Sequence, residues 1–168
     1  MPFIVRWPAV IKAGSQSDQT ICLTDFMATC ADIVGAELPA TAGEDSVSFL
    51  PAFSDEPIVS TRQGIVHHSI SGHFAYRQGK WKLLLAAGSG GWTSPTEKQV
   101  SAVAPKGQLY DMEADPGERT NLYQSHPEVV QQLMAQLESD IARGRSTEGA
   151  YQANDVNNIQ LWKGRITR

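Results

Sequence analysis

Hydrophobic and polar positions alternate along residues 64–85. Apolar residues recur at every second position on both sides of a short polar stretch, at Phe74 and Tyr76 before it and at Trp81, Leu83 and Leu85 after it. A period of two places such side chains on one face of a β-sheet. Gly79, within that stretch, supplies the positive φ of a tight turn. The pattern predicts a β-hairpin with an apolar face that the rest of the chain covers.

A second periodicity, close to that of an α-helix, follows Thr24. Apolar residues recur at helical spacing, at Phe26, Cys30, Ile33 and Val34. Thr24 is a favourable N-cap, and Asp25 in the first turn suits the positive end of the helix dipole. Gly35 is suited to a left-handed C-terminal cap. We expect a helix with one apolar face, exposed unless another part of the protein covers it.

The longest helical pattern begins near Ser125. Its apolar stripe consists of Val130, Leu133, Met134, Leu137 and Ile141. Ser125 and Glu128 have the spacing of a capping box, and Pro127 is tolerated in a first helical turn. The stripe ends before Gly144. This segment is the predicted cover for the hairpin.

Shorter patterns fill the intervals. Residues 3–7 and residues 108–112 read as strands. Residues 87–106 are rich in Gly, Ser and Pro and predict a long irregular loop that contains Trp92. The main organisational break is expected between residues 57 and 64.

Composition narrows the functional class. The 168 residues are 41% hydrophobic and 19% charged, with a net charge of −4. This balance disfavours a nucleic-acid-binding surface, which is normally basic. No apolar run approaches the roughly 18 residues of a membrane span, and no signal-peptide pattern opens the chain. The sequence itself predicts no compartment.

Four stretches together resemble the carboxy-terminal part of the sulfatase family, the arylsulfatase-like sulfuric ester hydrolases. They read PFIVRWP at residues 2–8, LTDFMAT at 23–29, YRQGKWKL at 76–83 and LYDMEADPGE at 109–118, with Asn121 and Leu122 following. The resemblance implies an α/β fold. Residues 1–60 would end the large catalytic α/β domain with a strand and a helix, and residues 61–149 would form a small antiparallel sheet packed by a C-terminal helix. Residues 150–168 would be a polar tail.

The family's catalytic residues have no counterpart in this sequence. Sulfatases carry a Cys/Ser-x-Pro-x-Arg motif whose first residue becomes formylglycine, and neither Cys22 nor Cys30 is followed by Pro and Arg at those positions. The segment from Ser125 has the Pro, but Val129 stands where Arg is required. The paired aspartates and the Asp-Asn that hold calcium are also unmatched. We therefore assign no catalytic or metal-binding residue here. The resemblance implies that calcium and formylglycine belong to an N-terminal catalytic core that this sequence lacks, a core that is often exported in family members.

Three residues are candidates for contact with a substrate. The small domain of sulfatases lines the mouth of the substrate pocket, and on that basis we single out His67, His68 and Trp92. Histidine can hydrogen-bond to a sugar hydroxyl or, when charged, attract a sulfate. An indole can stack on a sugar face. The alternative is that all three have ordinary packing roles. His73, beside the hairpin's aromatic face, is expected to be structural.

A metal site formed by His67, His68 and His73 is a competing interpretation. Neighbouring strand residues point to opposite faces, and the cluster contains no Asp or Glu to complete a coordination shell. We therefore disfavour it.

Two functional hypotheses follow. In the first, the chain is the C-terminal part of a sulfatase that hydrolyses sulfate esters of carbohydrates, and it supplies a wall of the substrate pocket. In the second, it is a non-catalytic, stand-alone binding module or a truncated remnant.

Overall fold

The computed structural model describes residues 3–163. In chain order, its regular elements are helix α1 (Asp25–Val34), a 3-10 helix (Leu50–Ser54), strands β1 (Ile65–His68), β2 (Phe74–Gln78), β3 (Trp81–Leu84) and β4 (Gln108–Asp111), and helix α2 (Pro127–Arg143). The strands form one antiparallel sheet in the order β1-β2-β3-β4.

The predicted hairpin is confirmed as β2 and β3. Tyr76 lies opposite Leu83, and Gln78 lies opposite Trp81, so Gly79 and Lys80 form the turn. The turn lies within the polar stretch between Tyr76 and Trp81, as predicted. Gly79 takes the expected positive φ of 53°. The predicted strand at 108–112 is β4, and the predicted irregular loop lies between β3 and β4. The hairpin gains a further partner in β1, which pairs along β2.

The core of the sheet lies between its apolar face and α2. Tyr76, Leu83 and Leu109 are fully buried and cluster with Leu133 and Leu137 of the helix. The sheet residues sit at matching register positions on adjacent strands, which places them on one face. The predicted covering role of the helix is therefore confirmed.

A buried polar contact adds specificity to this core. The Tyr76 hydroxyl donates a hydrogen bond of 3.0 Å to a carboxylate oxygen of Asp140 on α2. Gly64 permits the tyrosine ring to lie where it does, because a Cβ atom at that position would come within 2.5 Å of the ring. An unmatched hydroxyl buried here would be costly.

The start of α2 differs from the prediction. The helix begins at Pro127 with His126 as its N-cap, and no side chain caps it. The Ser125 hydroxyl bonds instead with the carbonyl of Leu122, at 3.1 Å, and with His126 Nδ1. The capping-box prediction was therefore wrong. Because the helix starts one residue later than a Ser125 cap requires, Ser125 lies before the N-cap and outside the positions of a capping box.

The chain divides into two compact units. The first comprises the residues up to Arg62 together with Thr147–Gln152, and the second comprises Gln63–Ser146 and the residues from Ala153. Thr147 joins the first unit because its hydroxyl donates to the carbonyl of Glu44, at 2.6 Å. The domain boundaries inferred from the resemblance remain a prediction.

The first unit is organised around a buried ion pair. Both carboxylate oxygens of Asp25 accept hydrogen bonds from the Arg62 guanidinium, at 2.5 and 2.7 Å, and both side chains are almost fully buried. Asp25 also accepts the N–H groups of Cys22 and Val47. Burial opposes the charge on Arg62, but the hydrogen bonds and charge of Asp25 outweigh it and raise the pKa of Arg62. Asp25 therefore does more than complement a helix dipole.

The strand predicted at residues 3–7 is absent. Within residues 3–163 this segment pairs with no strand, and the Trp7 carbonyl instead accepts turn hydrogen bonds from Val10 and Ile11. The Phe3 ring packs edge-on against Phe49, with 5.4 Å between centroids. A strand requires a partner for its backbone N–H and C=O groups, and the described residues supply none.

Helix α1 matches its predicted limits, with Gly35 as a left-handed C-terminal cap. As expected, much of its apolar face is exposed: Phe26 is 54% exposed and Val34 is 73% exposed. None of the helices described for residues 3–163 has the length and apolar character to cross a membrane.

Truncation of the helix that covers the sheet tests this account of the core. We expect Leu137→Ala to lower the free energy of unfolding by about 2–5 kcal/mol, because Leu137 is fully buried and the change leaves a cavity. Urea unfolding followed by circular dichroism measures the change. Glu138→Ala, at the exposed neighbouring position, should cost less than about 0.5 kcal/mol. Equal effects of the two substitutions would contradict the packing described here.

Candidate functional site

A cavity of about 190 Å³ lies in the second unit, beside β1–β3 and the start of the irregular loop. Polar side chains and backbone make up much of its lining, which consists of His67, His68, Ser69, His73, Phe74, Ala75, Lys82, Leu84, Ala86, Ser89 and Gly90. Two of the three predicted site residues, His67 and His68, therefore meet at one cavity.

The two histidines reach the cavity from the last two positions of β1. His67 lies opposite Ala75 on β2, whereas His68 lies opposite Phe74 and packs edge-on against its ring, with 4.2 Å between centroids. Both residues keep part of their surface exposed to solvent. Adjacent strand residues face opposite sides of a sheet, but β1 ends here, and both residues border the same cavity.

His73 is buried and held by backbone contacts. Its Nδ1 lies 3.2 Å from the carbonyl oxygen of Leu85, an acceptor, so Nδ1 carries the proton. Its main chain exchanges hydrogen bonds with Ser69, from Ser69 N–H to the His73 carbonyl at 2.9 Å and from His73 N–H to the Ser69 hydroxyl at 3.0 Å. These contacts fix the turn between β1 and β2, in agreement with a structural role.

The loop that forms the opposite wall is held by one carboxylate. Glu97 accepts backbone N–H groups from Ala87, Gly88 and Gly90, at 3.1, 2.8 and 3.2 Å. Gly88 has no room for a side chain, because a Cβ atom would lie 2.8 Å from the Glu97 carboxylate. Gly90 has a φ of 67°, a left-handed conformation that favours glycine. The glycines therefore allow the backbone to wrap around the carboxylate.

An amide from the sheet fixes the same loop from the other side. The Gln108 side-chain nitrogen on β4 donates to the carbonyls of Ala86 and Gly88, at 2.9 and 2.6 Å. Its side-chain oxygen accepts the Tyr110 hydroxyl, at 2.6 Å. The donors and acceptors of the loop backbone are thus matched by side chains on both sides, and the wall is tied to the sheet.

Lys82 brings a positive charge to the cavity. Its Nζ lies 2.5 Å from Glu118, and both side chains are partly buried. Lys82 and His67 share the sheet face opposite the core, because Lys82 pairs with Arg77 and His67 pairs with Ala75, two residues away on β2. The alternation of β3 would have predicted this from sequence, since Lys82 falls between Trp81 and Leu83.

Partial burial and neighbouring positive charges both favour the neutral form of His67. Partial burial lowers its pKa, and the positive charges of Lys82 and Arg77 lower it further, against the opposing effect of Glu118. A pKa below the ordinary value of 6.5 leaves the imidazole neutral at pH 7.

His68 is neutral at pH 7 for similar reasons. Partial burial lowers its pKa, and the charge of Lys163 adds to the effect. The Lys163 ammonium donates to the carbonyl of Ser71, at 3.1 Å, in the turn between β1 and β2. Both imidazoles therefore act first as hydrogen-bonding groups.

Trp92 does not line this cavity. It follows the loop wall directly in sequence and its side chain is 86% exposed. An indole that is so exposed within a fixed loop is available for contact with a ligand or another protein surface. The predicted contact of Trp92 with a substrate stays a prediction.

Within residues 3–163, no three or more His, Cys, Asp or Glu residues are grouped so that they could hold a metal ion. Sequence reasoning did not identify Lys82, Ser69 or Glu97. For Glu97 the sequence carries no signal, because its role depends on a loop conformation.

The amino-acid sequence of the chain is similar to those of known sulfatases. The chain is 34% identical over 139 residues to an N-acetylgalactosamine-6-O-sulfatase from Bacteroides thetaiotaomicron, which covers 83% of this chain and 27% of that protein. It is 26% identical to arylsulfatase K from Rattus norvegicus, over 100% of this chain and 29% of the rat protein. No protein-family profile matches it.

Solved structures show the same relationship. A protein bound to its substrate D-glucosamine-2-N,6-O-disulfate matches with a TM-score of 0.58 and 26% identity, over 81% of this chain and 27% of that one. The predicted fold class is confirmed by this likeness, by the small antiparallel sheet and by the C-terminal helix. The chain spans little more than a quarter of the length of these relatives. It belongs to the sulfatase family and corresponds to the carboxy-terminal part of its members.

Proposed function

We propose that this chain is the C-terminal part of an enzyme that hydrolyses sulfate esters of carbohydrates, and that the cavity beside β1 and the neighbouring Trp92 form part of the wall of its substrate pocket. The observation that carries the proposal is the 34% identity, over most of the chain, to a protein named for removing a 6-O-sulfate from N-acetylgalactosamine. A second relative of known structure was solved with a sulfated glucosamine as its substrate.

The site chemistry is consistent with binding rather than bond cleavage. His67 and His68 present neutral imidazoles that can donate or accept hydrogen bonds with sugar hydroxyls. Trp92 offers a flat apolar face two residues after Gly90, which lines the same cavity. In this proposal, the formylglycine nucleophile and the calcium ion are supplied by the N-terminal part of the complete enzyme, and this chain determines which carbohydrates fit.

The chain alone should release no sulfate. Its sequence has no Cys/Ser-x-Pro-x-Arg motif, so it has no precursor of the nucleophile. Incubation with N-acetylgalactosamine 6-sulfate, followed by ion chromatography of free sulfate, should give the same rate as buffer. Sulfate release above that rate, lost in a His67→Asn variant, would show that catalytic groups lie in this chain and would overturn the division of roles.

Trp92 should contribute to carbohydrate binding. We expect Trp92→Ala to weaken the binding of N-acetylgalactosamine 6-sulfate about three- to tenfold, the loss that follows removal of an aromatic contact. Binding is measured from chemical-shift changes in the side chains of His67 and His68. The matched control is Tyr151→Ala, which removes an aromatic residue that is 67% exposed in the first unit. Equal binding by both variants would remove Trp92 from the site.

Glu97 should hold the cavity wall in place. Glu97→Gln keeps the shape of the side chain but removes its charge and one acceptor oxygen. We expect the amide hydrogens of Ala87, Gly88 and Gly90 to exchange about tenfold faster, since hydrogen bonds to a charged acceptor are lost or weakened. Hydrogen exchange followed by mass spectrometry reports this region separately from the core. Glu113→Gln, at an exposed position, should leave the loop unchanged.

A further inference from the structure

The ionisable side chains that line the cavity are all basic. Its ionisable lining residues are His67, His68, His73 and Lys82, and its hydroxyls come from Ser69 and Ser89. Among the described residues that line it, none carries a carboxylate. The Lys82 ammonium, the imidazoles of His67 and His68 and the two hydroxyls can donate hydrogen bonds to a ligand, and the ammonium adds a full positive charge. His73 is excluded from this set because its Nδ1 proton is already donated to the Leu85 carbonyl. Such a set of donors matches the oxygen atoms of an anion.

We propose that this cavity binds a sulfate group of the carbohydrate ligand and that Lys82 is its charged anchor. The inference rests on the proposed function and adds the chemical group that enters this cavity.

Lys82 can bind a ligand without leaving its partner. An ammonium has three donors, and in the described part of the chain Glu118 occupies one of them, at 2.5 Å. Glu118 holds the ammonium in place and also offsets part of its charge. Removal of Lys82 and removal of the Glu118 charge should therefore change anion binding in opposite directions.

The histidines should make this binding dependent on pH. His67 lies in the field of Lys82, Arg77, Glu118 and His68, and His68 lies in that of Lys163.

These cations help to keep both rings neutral at pH 7, and a bound oxyanion offsets their effect by favouring the charged imidazolium. Anion affinity should accordingly rise as the pH falls through the pKa values of the two rings. The cavity volume of about 190 Å³ has room for a group of the size of sulfate.

Inorganic sulfate tests the inference directly. The imidazole resonances of the full chain are titrated by NMR in sodium sulfate and in sodium chloride of equal ionic strength. We expect sulfate to raise the pKa of His67 and His68. At a fixed pH it should not move the resonances of His126, which lies at the start of α2 outside the cavity. Affinity for sulfate should be roughly three- to tenfold higher near pH 5.5 than near pH 7.5. Equal pKa values in the two salts would overturn the inference.

Two substitutions in one ion pair separate electrostatics from packing. Lys82→Gln should weaken sulfate binding about tenfold, because a charge-assisted hydrogen bond is lost. Glu118→Gln should strengthen it, because the competing carboxylate is gone. Both variants break the same salt bridge, so a purely structural role of the pair would change sulfate affinity in the same direction in both. That result would overturn the assignment of Lys82.

Sugar ligands separate this inference from the proposed function. N-acetylgalactosamine and its 6-sulfate are titrated into the same chain. Equal binding of the two sugars, with no response of His67 or His68 to inorganic sulfate, contradicts the anion site and leaves the proposed function standing. A sulfate response at the two histidines without binding of either sugar supports the anion site and contradicts the proposed function.

Discussion

The alternation of side chains across the four-stranded sheet is the constraint on which the second unit depends. One face gives Tyr76, Leu83 and Leu109 to the core beneath α2. The other face is thereby left to His67 and Lys82. A one-residue shift in register would exchange the two sets, so the burial that stabilises the fold also determines which polar groups reach the cavity. Stability and the candidate site are two consequences of one pairing.

The walls of the cavity have different origins. The β1 wall is regular secondary structure, whereas the opposite wall is a glycine-rich loop whose backbone donors converge on Glu97. Glycines have no side chains through which the loop could pack. The Glu97 carboxylate holds the loop instead, by accepting hydrogen bonds from its backbone N–H groups. The loop can therefore hold a defined shape without regular structure and can present the exposed Trp92.

Under the proposed function, this part of a sulfatase would contribute to substrate choice and not to the chemical step. The chain spans about a quarter of its relatives and has no nucleophile motif, yet it carries a cavity rich in hydrogen-bond donors. Recognition and cleavage would then be assigned to different parts of the polypeptide. Such a division lets the binding wall vary while the reacting groups stay fixed, because binding contacts remote from the reacting bond can alter specificity.

The sequence by itself determined the elements whose periodicity is local: the β2–β3 hairpin, β4, α1 and α2. Four short stretches of sequence also determined the family. Together with the family resemblance, the sequence singled out His67 and His68 as candidates, and both line the cavity, while their binding role stays a prediction. The tertiary structure alone decided three points: that residues 3–7 form no strand, that Arg62 neutralises Asp25, and that Glu97 shapes the loop. Each of these depends on partners distant in the chain or on a backbone conformation, and neither leaves a periodic trace in the sequence.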